Sequence, residues 1–258
     1  MALLCMAVFD TEDNGRSVLT EKTLNGLRNT VDFGRHRLIV SDNNSCYKTK
    51  RILKFYQVLI PTMRIITFSE NVGTAKAINA GWANRFPGEH CIKMDNDIVV
   101  HDKGWVDMLE RVIEKDDAIG QCALKRVDLL EHPDNPHDWY HSTLRMLPHT
   151  AGEPYYVVEE VEHCIGSCVM HSSKLIGRVG ALKQFGVYSF DDALMSLRSA
   201  LAGFKNVFLP HVRIDHLDVD DDGAYTRWKQ QYADDKAYEY GKIKIEYLNG
   251  TRDIYEPL

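Results

Sequence analysis

The stretch HCIKMDNDIVV, residues 90–100, sets two carboxylates, Asp95 and Asp97, one residue apart in an otherwise apolar run. Ile92, Met94, Ile98, Val99 and Val100 read as buried strand. Buried strands avoid charge, because stripping water from a carboxylate costs on the order of several kcal/mol or more. Two hard oxygen donors at this spacing suit Mg2+ or Mn2+, ions that keep few protein ligands and bind substrate phosphates as well. D-x-D is also frequent in turns and helix caps, so the pair needs companions before it means a metal.

The surrounding elements supply them. LLCMAVF (3–9), RLIVS (37–41), RIITF (64–68) and CIKM (91–94) are short apolar runs, each separated from the next by a helical pattern. The first helix carries Val18, Leu24, Leu27 and Val31, the second Ile52, Phe55 and Tyr56, and the third Ala75, Ile78 and Trp82 before FPG (86–88) stops it. Strands alternating with helices of this length predict βαβ units and an α/β fold with a mostly parallel central sheet flanked by helices. Such sheets bind ligands beyond the carboxyl ends of their strands. DTEDNGRS, SDNNS, ENVGTAK and DND all fall there, so four polar segments converge on one crevice. In ENVGTAK, Asn71 and Gly73 precede a helix N-terminus, where free N–H groups favour phosphate. Phosphates and carboxylates share a crevice only with a cation between them.

Further along, Trp105, Met108, Leu109, Val112 and Ile113 make an amphipathic helix, and AIGQCAL (118–124) another strand. Residues 128–154 break the pattern with Pro133, Pro136, Pro148, Pro154, His132, His137, His141 and His149. They read as a solvated excursion, and long loops of this kind often bind ligands. YYVV (155–158) and CIGSCVM (164–170) resume strand patterning, a helix is expected over about 191–202 with Gly203 ending it, and NVFLP and VRI read as two short strands. A Tyr-rich tail is expected to be helical from about Tyr225 to Lys242.

Composition sets outer limits. The chain has 258 residues, 44% hydrophobic and 26% charged, with a net charge of −6. That balance argues against a broad grip on a nucleic-acid backbone, which needs concentrated Lys and Arg. No apolar run approaches the ~20 residues that span a bilayer. The opening MALLCMAVF lacks a basic segment and meets Asp10 and Glu12 at once, so it reads as a first strand and not as a signal peptide. None of the six cysteines forms a C-x-x-C pair, and they read as reduced core thiols of a cytoplasmic protein.

Taken in order, VFDTEDNGRS, LIVSDNNS, ENVGTAKAINAG and KMDNDIVV resemble the donor-site segments of the GT-A-fold glycosyltransferases, especially family two. GSCVM and YSFDDALMSLRSALAGFKNVFLP with IDH extend the likeness, over about residues 3–217. The resemblance implies the GT-A fold, a Rossmann-like nucleotide-diphospho-sugar transferase, with a catalytic domain at 1–217. Its donor half would be about 1–100, its acceptor half about 101–217, and 218–258 would be a helical tail packed on it. It implies sugar transfer from a nucleoside-diphosphate sugar, a UDP-sugar foremost, to an acceptor hydroxyl, with Mn2+ or Mg2+ and inversion of the anomeric centre. Asp10 and Asp42 would lie against base or ribose; Asn71, Gly73 and Lys76 would line the nucleotide or diphosphate, with Asn96 also on the donor side. Asp95 would contact ribose or metal-bound water, Asp97 and His216 would ligate the metal, and Gly166 would let backbone approach the sugar. Asp192 would be the general base, with Asp191 binding acceptor or capping the helix; the family usually has Glu where Asp191 stands.

Two rivals bear on the same residues. A sugar-1-phosphate nucleotidyltransferase would show a basic, Gly-rich loop after the first strand, whereas DTEDNGRS is acidic with one Gly. A catalytically silent nucleotide-sugar or glycan-binding module would not need Asp97, Asp192 and His216 together. The acceptor class, whether glycan, lipid-linked sugar, protein, small molecule or modified nucleic-acid base, is left open by the sequence.

Overall fold

A computed structural model of the chain describes residues 1–126, 142–217 and 224–257. Strands β1 (Ala2–Val8), β2 (Arg37–Asp42), β3 (Met63–Thr67) and β4 (His90–Met94) lie parallel in the order β3-β2-β1-β4. Their crossovers are helices α1 (Ser17–Thr30), α2 (Tyr47–Leu59) and α3 (Thr74–Trp82). β1 is apolar at nearly every position because both its faces are covered. Leu4, Met6 and Val8 pack with Leu24 and Leu27 of α1 and Leu53 of α2 on one face. Leu3 and Cys5 pack with Ala75, Ile78 and Trp82 of α3 on the other.

Beyond β4 the sheet becomes mixed. The chain turns through Asp95–Asp97, and β5 (Ile98–Val100) leaves the line of β4 to pair antiparallel with β10 (Lys205–His216). After α4 (Trp105–Lys115) comes β6 (Ile119–Arg126), parallel to β10; β9 (Cys168–His171) lies antiparallel between β4 and β6. β7 (Thr143–Met146) and β8 (Val157–Val161) extend the sheet past β10. Helices α5 (Ser173–Val179) and α6 (Asp191–Leu201) cover the α3 face, and α7 (Ala224–Leu248) packs against α6.

Several local expectations are revised. Part of the 128–154 excursion, residues 128–141, lies outside the described residues, while its later part contains β7 paired to β8. NVFLP and VRI are one strand, with a register shift between Leu209 and Arg213 that accommodates Pro210, which has no N–H for the ladder. α5 was hidden by its seven-residue length; Ser172 caps it by accepting the Leu175 N–H at 3.1 Å. No described helix is long and apolar enough to cross a membrane.

Candidate active site

A cavity of about 690 Å3 opens at the carboxyl ends of β1 and β4. Asp95, Asn96 and Asp97 form part of its wall; Asn71, Gly166 and His216 join them, and Asp191 and Asp192 face in from the start of α6. The structure therefore brings together eight of the expected site residues.

The turn after β4 is fixed from below. The Asn96 amide donates to Asp10 Oδ1 at 3.0 Å and to Thr20 Oγ1 at 2.7 Å, while Asp10 Oδ2 accepts from Thr20 and Thr49. Asp97 is then held against β10: its carbonyl accepts the Leu217 N–H at 2.7 Å, and the pairing of Ile98 with His216 brings the imidazole alongside. His216 Nε2 lies 3.6 Å from Asp97 Oδ2, and Arg16 Nη2 donates to that same oxygen at 2.6 Å. Asp97 Oδ1 is buried without a hydrogen-bond partner among the described residues. One donor atom from each of Asp95, Asp97 and His216 falls within 4.8 Å of the others. Two carboxylates, one of them with a buried oxygen lacking a hydrogen bond among the described residues, and an imidazole are a donor set that fits Mn2+ or Mg2+. A second acidic cluster, His36, Asp107 and Glu110, has Arg35 against both acids, and the His36 ring accepts the Ala2 N–H at 3.1 Å.

The acid pair is set by backbone strain. Ser189 and Phe190 both adopt left-handed φ, 83° and 63°, which non-glycine residues rarely do outside constrained sites. Phe190 is held there by stacking on Tyr240 of α7 at 4.4 Å. Asp191 Oδ2 lies 3.1 Å from Lys93 Nζ, and Lys93 is also 3.8 Å from Asp95 Oδ1. Asp192 Oδ2 accepts the Gly166 N–H at 2.9 Å and lies 3.5 Å from His163 Nε2.

These contacts set the charges. Burial would raise the Asp192 carboxyl, but His163, then Lys93 and the Gly166 N–H, hold it below the usual carboxylate range. Asp191 is raised by burial and by Asp192, against the pull of Lys93. Asp95 is pushed up to about 7 by burial, opposed by Lys93 and reinforced by Asp97 and Asp191. Lys93 is held protonated: burial disfavours its charge, and Asp191, Asp95 and Asp192 together outweigh that.

Four expected donor residues stand off the cavity wall. Asp10 is fully buried, its bonds spent on the Asn96 turn and on α1 and α2; burial raises its carboxyl. Asp42 accepts the Ser45 N–H at 2.7 Å beneath the loop, and Asn43 reaches the cavity in its place. Lys76 is exposed on α3 and Gly73 has φ +88°, with a Cβ that would lie 2.8 Å from the Gly186 carbonyl. The start of α3 is not open to phosphate as expected. Gly73 N–H goes to Asn71 Oδ1, Thr74 N–H to the Val187 carbonyl and Ala75 N–H to Gln184 Oε1.

The sequence pattern did not single out Arg16, Lys93, His163 or the α7 wall. Trp228, Lys229 and Ala233 line the cavity from α7. On the same helix, Tyr232 Oη accepts the Val187 N–H at 3.1 Å and donates to the Phe185 carbonyl at 3.3 Å, pinning the loop before the acid pair. Gly166 lines the cavity, and a Cβ there would collide with Lys93 Nζ.

The sequence model of the family described as Glycosyl transferase family 2 matches residues 15–180. No curated protein matches the chain. Among solved structures, the mannosyltransferase PcManGT from Pyrobaculum calidifontis, in complex with GDP-Man and Mn2+, is similar at 14% identity and TM-score 0.65 over 88% of this chain and 59% of that one. GalNAc-T7 with UDP, GalNAc and Mn2+ is similar at 12% identity and TM-score 0.62, over 83% of this chain and 43% of that one. S. aureus TarS 1–349 is similar at 14% identity and TM-score 0.55, over 84% and 58%. The chain spans less than two thirds of the length of each of these structures. At these identities the likeness shows a shared GT-A fold.

Proposed function

The chain belongs to glycosyl transferase family 2, and from that premise we propose that it moves a sugar from a nucleoside-diphosphate sugar, a UDP-sugar by preference, to an acceptor hydroxyl, with a divalent cation and inversion of the anomeric centre. The observation that carries the reading is the meeting of the Asp95–Asp97–His216 donor set and the Asp191–Asp192 pair in one cavity, with Lys93 between them. That neighbours of the same fold are complexes with GDP-Man and Mn2+ or with UDP-GlcNAc supports a nucleotide-sugar donor.

Asp97 and His216 would hold Mn2+ or Mg2+, with Asp95 beside them. Such an ion, when bound, neutralises charge growing on a leaving diphosphate. Asn71, Asn96 and the Gly166 backbone would line the donor. Asp192 is held below the usual carboxylate range, so its use as a base rests on position, within hydrogen-bond reach of the acceptor hydroxyl. A base on the face opposite the leaving group gives a single displacement, hence inversion. Residues 1–217 form the catalytic unit in this reading, with α7 as a packed tail closing one wall. Residues 128–154, outside every donor segment, would govern acceptor choice. Six free cysteines, five of them buried, support a reducing, cytoplasmic setting.

A thermal-shift panel of nucleotide sugars with and without Mn2+ tests the reading, since a ligand of the native state raises its apparent stability. At least one UDP- or GDP-sugar should raise the melting temperature only when Mn2+ is present. A protein that no nucleotide sugar stabilises would contradict it.

A further inference from the structure

We infer that Lys93 is a positioning residue of the transfer reaction, registering the Asp191–Asp192 pair against the donor-side acids; this rests on the reading of the cavity as a sugar-transfer site. Lys93 sits in β4, between β1 and β9, opposite Cys5 and Val169. Strand alternation puts it on the face of Cys91, which α3, α5 and α6 cover with apolar side chains. An interior strand position is a costly place for an ammonium, and an apolar side chain of similar volume would serve packing as well or better.

What occupies its surroundings is the acid machinery of both halves. Its Nζ lies 3.1 Å from Asp191 Oδ2 at the start of α6 and 3.8 Å from Asp95 Oδ1 at the end of its own strand. Gly166 leaves the space for that Nζ, since a Cβ there would collide with it and would also lie 3.1 Å from Asp192 Cβ. The same glycine donates its N–H to Asp192 Oδ2 at 2.9 Å. One ammonium thus sets the spacing between the donor acids and the acceptor acids, and one glycine lets it do so. Misplacing a reacting group by about 1 Å costs on the order of 10²-fold in rate.

The test compares Lys93→Met and Gly166→Ala with the parent and with the double variant. UDP release is followed from whichever of UDP-glucose, UDP-galactose and UDP-N-acetylglucosamine the parent turns over, and UDP affinity by calorimetry with Mn2+. Lys93→Met keeps the stem and removes the charge; Gly166→Ala keeps every charge and displaces the ammonium. Both should bind UDP with Mn2+ within a few-fold of the parent and lose about 10²-fold in kcat, and Lys93→Met should keep its KM within a few-fold. The double variant should be no slower than the slower single, as residues acting through one contact are not additive. A role confined to neutralising Asp191 predicts instead that Gly166→Ala keeps its kcat, and that result overturns the inference, as does multiplicative loss in the double variant. If Lys93→Met does not fold, Gly166→Ala decides alone. A parent that binds no UDP and releases none from any donor contradicts the proposed function itself.

Discussion

Arg16 and Asp97 stand 81 residues apart and meet as a buried ion pair, Nη2 to Oδ2 at 2.6 Å. The pair puts a guanidinium where the donor set fits a cation, on a carboxylate only 4% exposed. Removing one partner of a buried pair costs about 3–5 kcal/mol, because the other charge is stranded. Arg16→Met should therefore melt earlier than the parent without metal, and Mn2+ should raise its melting temperature by more than it raises the parent's. Equal Mn2+ shifts in the two proteins would show that Arg16 and the cation do not share Asp97.

Asp192→Asn keeps shape and the carbonyl that accepts the Gly166 N–H but removes the proton acceptor. General-base loss costs about 10²- to 10⁴-fold, whereas a helix-start contact is worth ~1 kcal/mol of stability. The variant should bind UDP and Mn2+ normally, melt within a few degrees of the parent and release product at least about 10²-fold more slowly. Early melting with most turnover retained would make Asp192 a structural group.

Tyr232→Phe deletes the hydroxyl that pairs with Val187 N–H and the Phe185 carbonyl. A hydrogen bond of this kind contributes about 1 kcal/mol. Amide exchange at Val187 should accelerate and kcat should fall, with UDP affinity within a few-fold. Unchanged exchange at Val187 would mean that α7 does not hold the loop before the acid pair.

His171 gives the clearest pH dependence. Burial, aided by the Lys93 charge, pushes its imidazole down to about 3, against about 6.5 in an unfolded chain. Below pH ~6.5 the unfolded chain takes up a proton that the native ring refuses until about pH 3. Stability from this residue is thus intact above pH ~6.5 and falls by about 1.4 kcal/mol per unit as pH is lowered toward the native value. Urea midpoints at pH 7 and pH 5 should fall less for His171→Gln than for the parent; an identical fall assigns the dependence elsewhere.

Asp95 and Asp97 were legible because carboxylates that end an apolar run have no packing reason to be there. The βαβ alternation was legible for the same cause, since β1 is apolar on two covered faces. Arg16 was not: within DNGRS it reads as a solvated loop residue, and its partner lies in a distant segment. Lys93 was hidden because a polar position inside a strand such as HCIKM reads as its solvent side, while here both sides are covered. Gln184 and Val187 consumed the α3 N–H groups through a loop with no periodic signature. Ser189 and Phe190 carry no residue-type warning of left-handed backbone. Each miss involves a partner supplied by tertiary contact.

The central claim, that the Asp95–Asp97–His216 set binds a nucleoside diphosphate through a divalent cation, is tested most directly by calorimetric titration of UDP into the parent and Asp97→Ala, with and without Mn2+. The parent should bind UDP far more tightly with Mn2+ than without, and Asp97→Ala should lose most of that difference while keeping its fold. His216→Ala should lose less, because water can replace one neutral ligand. Mn2+-dependent UDP affinity that survives intact in folded Asp97→Ala would contradict the account.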